Sequence, residues 1–242
     1  MAGHSKWANT KHRKARADAK KGKIFSRIAK EIISAVKVGG ADPKSNPRLR
    51  LALQKARDAN MPNEIIDRNI SKASQADQAD FYELTYELYG HEGVGLVIDV
   101  MTDNKNRISS EMRIATNKRG GTIATPGAVT FNFDRKGIIQ ISKDQAKEET
   151  LFLAATEAGI EDFEELEESF ILTTDPTDLY FIKEQLTQKG FKCEEATLEM
   201  VPKVEVECSA EAVKDNFALM EWLEELEDVD AVYHNMKVSE DN

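Results

Sequence analysis

The side chains in this sequence best suited to chemistry are cations and flat rings crowded into its opening, MAGHSKWANTKHRKARADAKKGK. Lys6, Lys11, Arg13, Lys14, Arg16, Lys20, Lys21 and Lys23 stand there against a single acid, Asp18, interleaved with His4, Trp7 and His12. Lysine and arginine neutralise phosphates, and exposed rings stack on bases, so this mixture in one polar stretch is the chemistry of nucleic-acid binding. Trp7 has a second reading, as a ring that packs onto the protein itself. The positive charge runs on into a helical pattern. Lys23, Arg27, Lys30 and Lys37 fall within roughly 80° of one another on a wheel of 100° per residue, opposite the apolar set Phe25, Ile28, Ile32 and Val36. Cations at that helix start oppose the macrodipole, a local cost with no structural return visible in the sequence. A second basic group, Lys105, Arg107, Arg113, Lys118 and Arg119, lies on and after a later helix, where taken alone it reads as a solvated face.

Other chemistries lack their constellations. His4, His12, His91 and His234 are scattered, with no HExxH spacing, and His91-Glu92 sits in a glycine-flanked turn as a solvated pair. The glycines form neither GxGxxG after a strand nor a GxxxxGK[ST] loop. No Ser-His or Cys-His pairing can be nominated. Cys193 and Cys208 are too few and too far apart for a disulfide framework or a zinc site. The expectation is therefore no catalysis, no metal, no cofactor and no small-molecule substrate.

Charge is segregated along the chain. Residues 1–75 hold 18 Lys+Arg and 6 Asp+Glu; the other 167 hold 15 and 37, so a basic module of +12 precedes an acidic body of −22. Such a body repels nucleic acid and confines binding to the basic end. Apolar runs such as Val94–Val100 fall far short of the roughly 18 residues that span a bilayer, and no apolar secretory core opens the chain. The basic start resembles a transit peptide in composition but runs without a break into a helical pattern. A cytoplasmic protein away from membranes is expected.

The elements that must position this charge follow in order. A flexible basic arm over 1–22 precedes a helical domain over 23–75, with Gly39-Gly40 ending the first helix, Asn46 capping the second and Pro62 opening the third. SKASQADQAD marks a boundary. Alternating Tyr82, Leu84, Tyr86 and Leu88 then begin strands, GVGLVIDVMT follows, and Asp103 or Asn104 can cap a helix. Further strands are expected at FNFDRKGIIQIS, DFEELEESFILTT, ATLEMV, VEVEC and DAVYHNMKV, with helices near 144–158, 176–189 and 210–227. The fold class is multi-domain α+β: three helices plus two small sandwiches of split βαβ type. The last strand is expected to pair back with Leu96–Met101. That makes a discontinuous middle domain of 80–131 plus 205–242, with a third domain of 132–204 inserted in it.

The opening MAGHSKWANTKHRKARADAKKGKIFSRIAKEI, with YELYG, GVGLVIDVMTDNKNR and NKRGGTIATPGAVTFNFDRKG, resembles the YebC/PmpR family over essentially the full length. Thr10 stands where an apolar residue is usual. The resemblance implies a non-enzymatic cytoplasmic protein of three domains, one helical and two α+β. Members are described as DNA-binding transcriptional regulators; others, mitochondrial relatives among them, act as translational activators on the ribosome. Two functions stay open: a DNA-binding transcriptional regulator, or a ribosome-associated translation factor whose arm contacts ribosomal RNA or tRNA.

Overall fold

Residues 21–73 and 80–238 are described by the computed structural model. They begin with three helices, α1 (Lys21–Gly39), α2 (Pro47–Asp58) and α3 (Asn63–Ala73). Gly40, at φ +83°, lets the chain leave α1 in a conformation that other residues resist. Asn46 then does two jobs. Its Oδ1 accepts the Leu49 N–H at 3.0 Å with Pro47 in the first helical position, and its amide donates to the Ala35 and Gly40 carbonyls, each at 2.8 Å. One cap thus starts α2 and ties it to α1. Ile28, Ile32, Val36, Leu49, Ala52, Ala56 and Ile66 close a small core between the helices.

The strands and helices that follow are β1 (Tyr82–Tyr89), β2 (Gly95–Thr102), α4 (Lys105–Arg119), β3 (Thr122–Ile123), β4 (Phe133–Ser142), α5 (Glu148–Ala158), β5 (Asp162–Glu165), β6 (Ser169–Thr174), α6 (Leu179–Gln188), β7 (Glu195–Pro202), α7 (Ala210–Glu225) and β8 (Val229–His234). They build two antiparallel sheets, ordered β3-β1-β2-β8 and β5-β6-β4-β7. In the first, β2 and β3 both run antiparallel to β1 between them, so β2-α4-β3 is a split βαβ unit. The second holds two such units, β4-α5-β5 around β6 and β6-α6-β7 around β4. The protein is a multi-domain α+β fold. β8 returns to pair with β2, from Leu96 opposite His234 to Val100 opposite Val229, across a bulge after Asp99. The whole second sheet lies between β3 and β8 in sequence.

Each sheet buries one face under two helices. Leu96, Ile98 and Val100 pack on Ile108 and Met112 of α4 and on Leu219 and Leu223 of α7. Ile139, Ile141, Phe170 and Leu172 pack on Leu151 of α5 and on Ile182 and Leu186 of α6.

Two expectations about elements need correction. VEVEC has the alternation of a strand but forms a single parallel bridge, Val206 with Met236. The Val204 carbonyl, which a ladder would use, instead accepts the side-chain amides of Asn132 at 2.9 Å and Asn235 at 3.3 Å. The helix expected near 176 begins at Leu179, because Asp175 accepts the Thr177 N–H at 2.8 Å and its hydroxyl at 2.6 Å and so holds a turn open.

Candidate nucleic-acid interface

The cationic opening leads into α1, and α1 is fixed by its own cations. Lys23 Nζ donates to the carbonyls of Glu224 and Leu226, the latter at 2.7 Å, at the C-terminal end of α7. A cation there satisfies helix-end carbonyls and meets the negative pole of the dipole. Arg27 lies 3.3 Å from Glu31 and 3.8 Å from the Asp230 carboxylate. Lys30 is buried; its Nζ reaches Asp228 Oδ1 at 3.0 Å and the Met101 and Glu227 carbonyls, each at 3.1 Å.

Asp228 is the hub of this junction. It is 2% exposed and also accepts the Thr102 hydroxyl at 2.8 Å and Arg107 Nε and Nη2 at 3.1 and 2.6 Å. Burial pushes its carboxyl up, but hydrogen bonds from Arg107, Thr102 and Lys30 outweigh that and hold it below the usual range. Asp230, two residues on, goes the other way: burial raises it and Arg27 offsets this only in part. The difference is donor distance. Asp228 has donors in contact, whereas the Arg27 nitrogen stands 3.8 Å from the Asp230 carboxylate.

The stripe expected to lie opposite the packed face therefore packs as well. Lys23, Arg27 and Lys30 face the acidic edge of the middle sheet and the end of α7, and Lys37 pairs with Asp80 at 2.6 Å. The charge at the start of α1 also has a structural return: Lys23 pins α1 to the far end of another helix. Helical-wheel geometry placed these cations away from the Phe25–Val36 face correctly, but it carried no information that a second surface waits there.

The second basic group is also held. Lys105 Nζ stands 4.1 Å from the Tyr82 ring centroid, and the Arg119 guanidinium 5.3 Å from that of Trp222, both cation–π contacts. Arg107 bonds Asp228 and Asp103, which drive its pKa above the usual range. Arg113 and Lys118 are exposed on α4. His4, Lys6, Trp7, Lys11, His12, Arg13, Lys14, Arg16 and Lys20 lie outside the described residues, as does the side chain of Lys21.

Of the cations that face solvent here, sequence reasoning noted only Arg57, as added charge on the second helix, and passed over the rest. Over 21–73 the chain carries 12 Lys+Arg against 5 Asp+Glu. Lys44, Arg50, Arg57, Arg68 and Lys72 are exposed on this unit; Arg50 braces the turn before α2 by donating to the Pro43 and Lys44 carbonyls. Local charge counting was the signal that could have found them. The spacing of α2, a turn at 59–62 and α3 is that of a helix-turn-helix, with Asn60 at φ +56°. The exposed side of α3, however, presents Asn63, Glu64, Asp67, Arg68, Ser71 and Lys72, of mixed charge, so it lacks the cationic surface of a base-reading helix.

Two further polar groups shape the middle sheet. Glu87, on the strand face opposite the alternating Tyr82–Leu88 set, is 6% exposed and accepts the N–H groups of Gly127, Val129 and Thr130 at 2.6, 2.6 and 2.8 Å. Burial raises its pKa, and these bonds together with the Thr130 hydroxyl more than reverse the effect. His91, expected to be solvated, places Nε2 2.8 Å from the Arg119 carbonyl, closing the turn against the end of α4. Among the described residues no group of three or more His, Cys, Asp or Glu is arranged to hold a metal, and no helix is long and apolar enough to cross a membrane.

Fold and site together define a class: a three-part α+β protein whose cationic leading end is seated, through a docked helix, on an acidic body. The chain belongs to the TACO1/YebC family, since residues 5–76 match the TACO1/YebC protein N-terminal domain and residues 81–236 match the TACO1/YebC second and third domain. A Protochlamydia amoebophila (strain UWE25) protein named "Probable transcriptional regulatory protein" is 77% identical over 241 residues, covering 100% of this chain and 98% of its own. A Chlamydia pneumoniae protein of the same name is 57% identical over 237 residues, 98% of this chain and 100% of its own. The crystal structure of a conserved hypothetical protein from Aquifex aeolicus superposes with a TM-score of 0.83 at 39% identity, covering 92% of this chain and 93% of that one.

Proposed function

We propose that this chain is a non-enzymatic regulator of transcription in the cytoplasm that binds DNA through residues 1–22. The observation that carries this reading is the seating of α1. Lys23, Arg27 and Lys30 fix the helix that follows the arm, so the arm's cations are presented beside a basic helical unit on a body whose residues 76–242 carry a net −22 and repel phosphate. The names of the relatives agree with it. In this reading Lys44, Arg50 and Arg57 extend the binding surface, while Lys23, Arg27, Lys30 and Lys37 position it.

Deleting residues 1–20 tests it. Binding to a labelled duplex, read by fluorescence anisotropy, is expected to weaken at least tenfold, with circular dichroism and thermal unfolding unchanged. The slope of log K against log salt should flatten by about 0.9 for each phosphate that the shortened chain leaves unneutralised. Undiminished binding by the truncated chain sinks the proposal.

The mixed charge on α3 favours a second reading, in which the arm enters a cavity of ribosomal RNA and no base-reading helix is needed. Co-sedimentation with ribosomes, set against retention on one promoter sequence over competitor DNA, separates the two.

A further inference from the structure

The acidity of the body has a gap. Residues 104–133 carry five Lys+Arg and one acid, whereas the other 137 residues of 76–242 carry ten and 36. All six charges of that stretch belong to α4. Ile108, Met112 and Ala115 form its buried side, so the opposite side faces solvent. There, at 100° per residue, Asn106, Ser110, Arg113 and Asn117 fall within about 60° of one another, with Lys118 on the flank. The stripe presents amides, a hydroxyl and a guanidinium but no carboxylate, and Glu111, the helix's one acid, is half-buried. Arg113 and Lys118 make no hydrogen bond or ion pair among the described residues. Elsewhere in the body surface cations find acids: Lys136, Lys143, Lys189 and Lys237 each lie within 2.6 Å of a glutamate oxygen.

We propose that this outer face of α4 is a second contact surface for nucleic acid, one that holds the phosphate backbone of duplex DNA. The inference rests on the chain being a DNA-binding protein and extends that reading from the cationic leading end to the middle domain. Charge complementarity selects the occupant: two unpaired cations in an acid-free stripe meet a polyanion without first giving up a partner. Phosphate oxygens accept from arginine, lysine and asparagine side chains alike, and such contacts position a duplex without reading its sequence. The stripe runs about 17 Å from Asn106 to Asn117, the axial length of about five phosphates on one strand. Its place in the fold agrees. Arg107, in the first turn of α4, and Lys30 of α1 share the Asp228 carboxylate at 2.6 and 3.0 Å. The α4 face therefore adjoins the basic helical unit and can share one duplex with it.

Amine footprinting of the unaltered, full-length protein tests this. The protein is acetylated with a water-soluble N-hydroxysuccinimide acetate, with and without a saturating duplex of about 30 base pairs, and each lysine is read by mass spectrometry. The duplex is expected to protect Lys118 at least threefold. Lys147 and Lys192 should stay unprotected; they too are exposed and unpaired among the described residues, but sit beside Glu148, Glu149, Glu194 and Glu195 in the chain. In parallel, R113Q/K118Q is expected to bind the duplex about tenfold more weakly, with an unchanged unfolding midpoint. Its salt slope should be flatter by up to about 1.8, for two phosphates. The control K147Q/K192Q removes the same charge and should change affinity less than twofold. Equal losses in both pairs would reduce the effect to bulk charge and reject the surface, as would an unprotected Lys118. Protection that grows with protein concentration in the absence of DNA would assign the face to a second copy and overturn the proposal. If R113Q/K118Q misfolds, the footprint on the unaltered chain still decides. If deletion of residues 1–20 leaves binding intact while Lys118 is protected, the arm's role fails and the α4 surface stands. If that deletion abolishes binding and Lys118 of the parent is never protected, the arm stands and the α4 surface fails. A parent that binds no duplex removes both.

Discussion

Helices α1 and α2 are neighbours in one small domain, are both rich in Lys and Arg, and use that charge in opposite ways. On α1, Lys23, Arg27 and Lys30 point into the body of the protein and end on carbonyls and carboxylates of α7, β2 and the approach to β8. On α2, Arg50 and Arg57 face solvent, while Arg48 pairs with Glu83 at the rim and Lys55 with Glu31. Net charge does not distinguish the helices; what lies opposite each does. A cation in a basic stretch can be an interdomain fastener rather than a phosphate ligand, and burial tells which.

The difference is most sharply broken at Lys30. Removing one partner of a buried, hydrogen-bonded ion pair leaves the other charge uncompensated, which costs about 3–5 kcal/mol. Arg107 and Thr102 stay on Asp228, so Lys30→Ala is expected near the lower end, about 3 kcal/mol. Denaturant unfolding should show that loss, and limited proteolysis should cut near residues 74–79 faster. An unchanged unfolding midpoint would mean the junction does not hold the domains.

Next in size is the response to acid. Asp228 and Glu87 are both held below their ordinary values of 3.8 and 4.5 by native donors. A group depressed in the folded state adds stability that is fully present above its unfolded value and is lost as pH falls through the folded one. Stability should therefore be steady down to about pH 4.5 and decline below it. Asp228→Asn should flatten part of that decline while lowering stability at neutral pH. A wild-type midpoint flat between pH 5 and 2.5 would contradict this. Glu87→Gln removes a charged acceptor from three N–H groups, each such bond being worth about 1.5–3 kcal/mol. It should loosen residues 124–132 first, visible as faster amide exchange at Val129 and Thr130.

The contrast between α1 and α2 also marks what sequence could and could not show. Local rules placed Asn46 as a cap and left the next between Asp103 and Asn104, of which Asn104 is the one observed, and the expected return of the last strand to β2 is seen. Hidden were features that need two distant segments at once. Asp228 reads as one acid in an acidic stretch until Lys30, 198 residues earlier, is seen beside it. Glu87 reads as the polar side of a strand until the 127–130 turn folds over it. VEVEC has the right alternation but pairs only at Val206 with Met236, and two asparagine side chains claim its Val204 carbonyl. Pattern fixes which face a residue takes; only the fold fixes what that face meets.

The smallest expected effect tests the other half of the comparison. If exposed α2 cations extend the arm's binding surface, each should act as one long-range or direct phosphate partner and nothing more. Arg57→Ala is then expected to weaken duplex binding about two- to fivefold, roughly 0.4–1 kcal/mol, and to flatten the salt slope by up to 0.9. Stability should stay within about 0.5 kcal/mol, as for most surface changes. Arg27→Ala offers the reciprocal pattern, because that guanidinium serves Glu31 and Asp230: a larger stability loss, with a salt slope close to the parent's. The pair of variants separates a fastener from a ligand by which measurement moves. Should Arg27→Ala flatten the slope as much as Arg57→Ala at equal stability, the division drawn between α1 and α2 would be wrong, and the cationic face of α1 would have to open when nucleic acid binds.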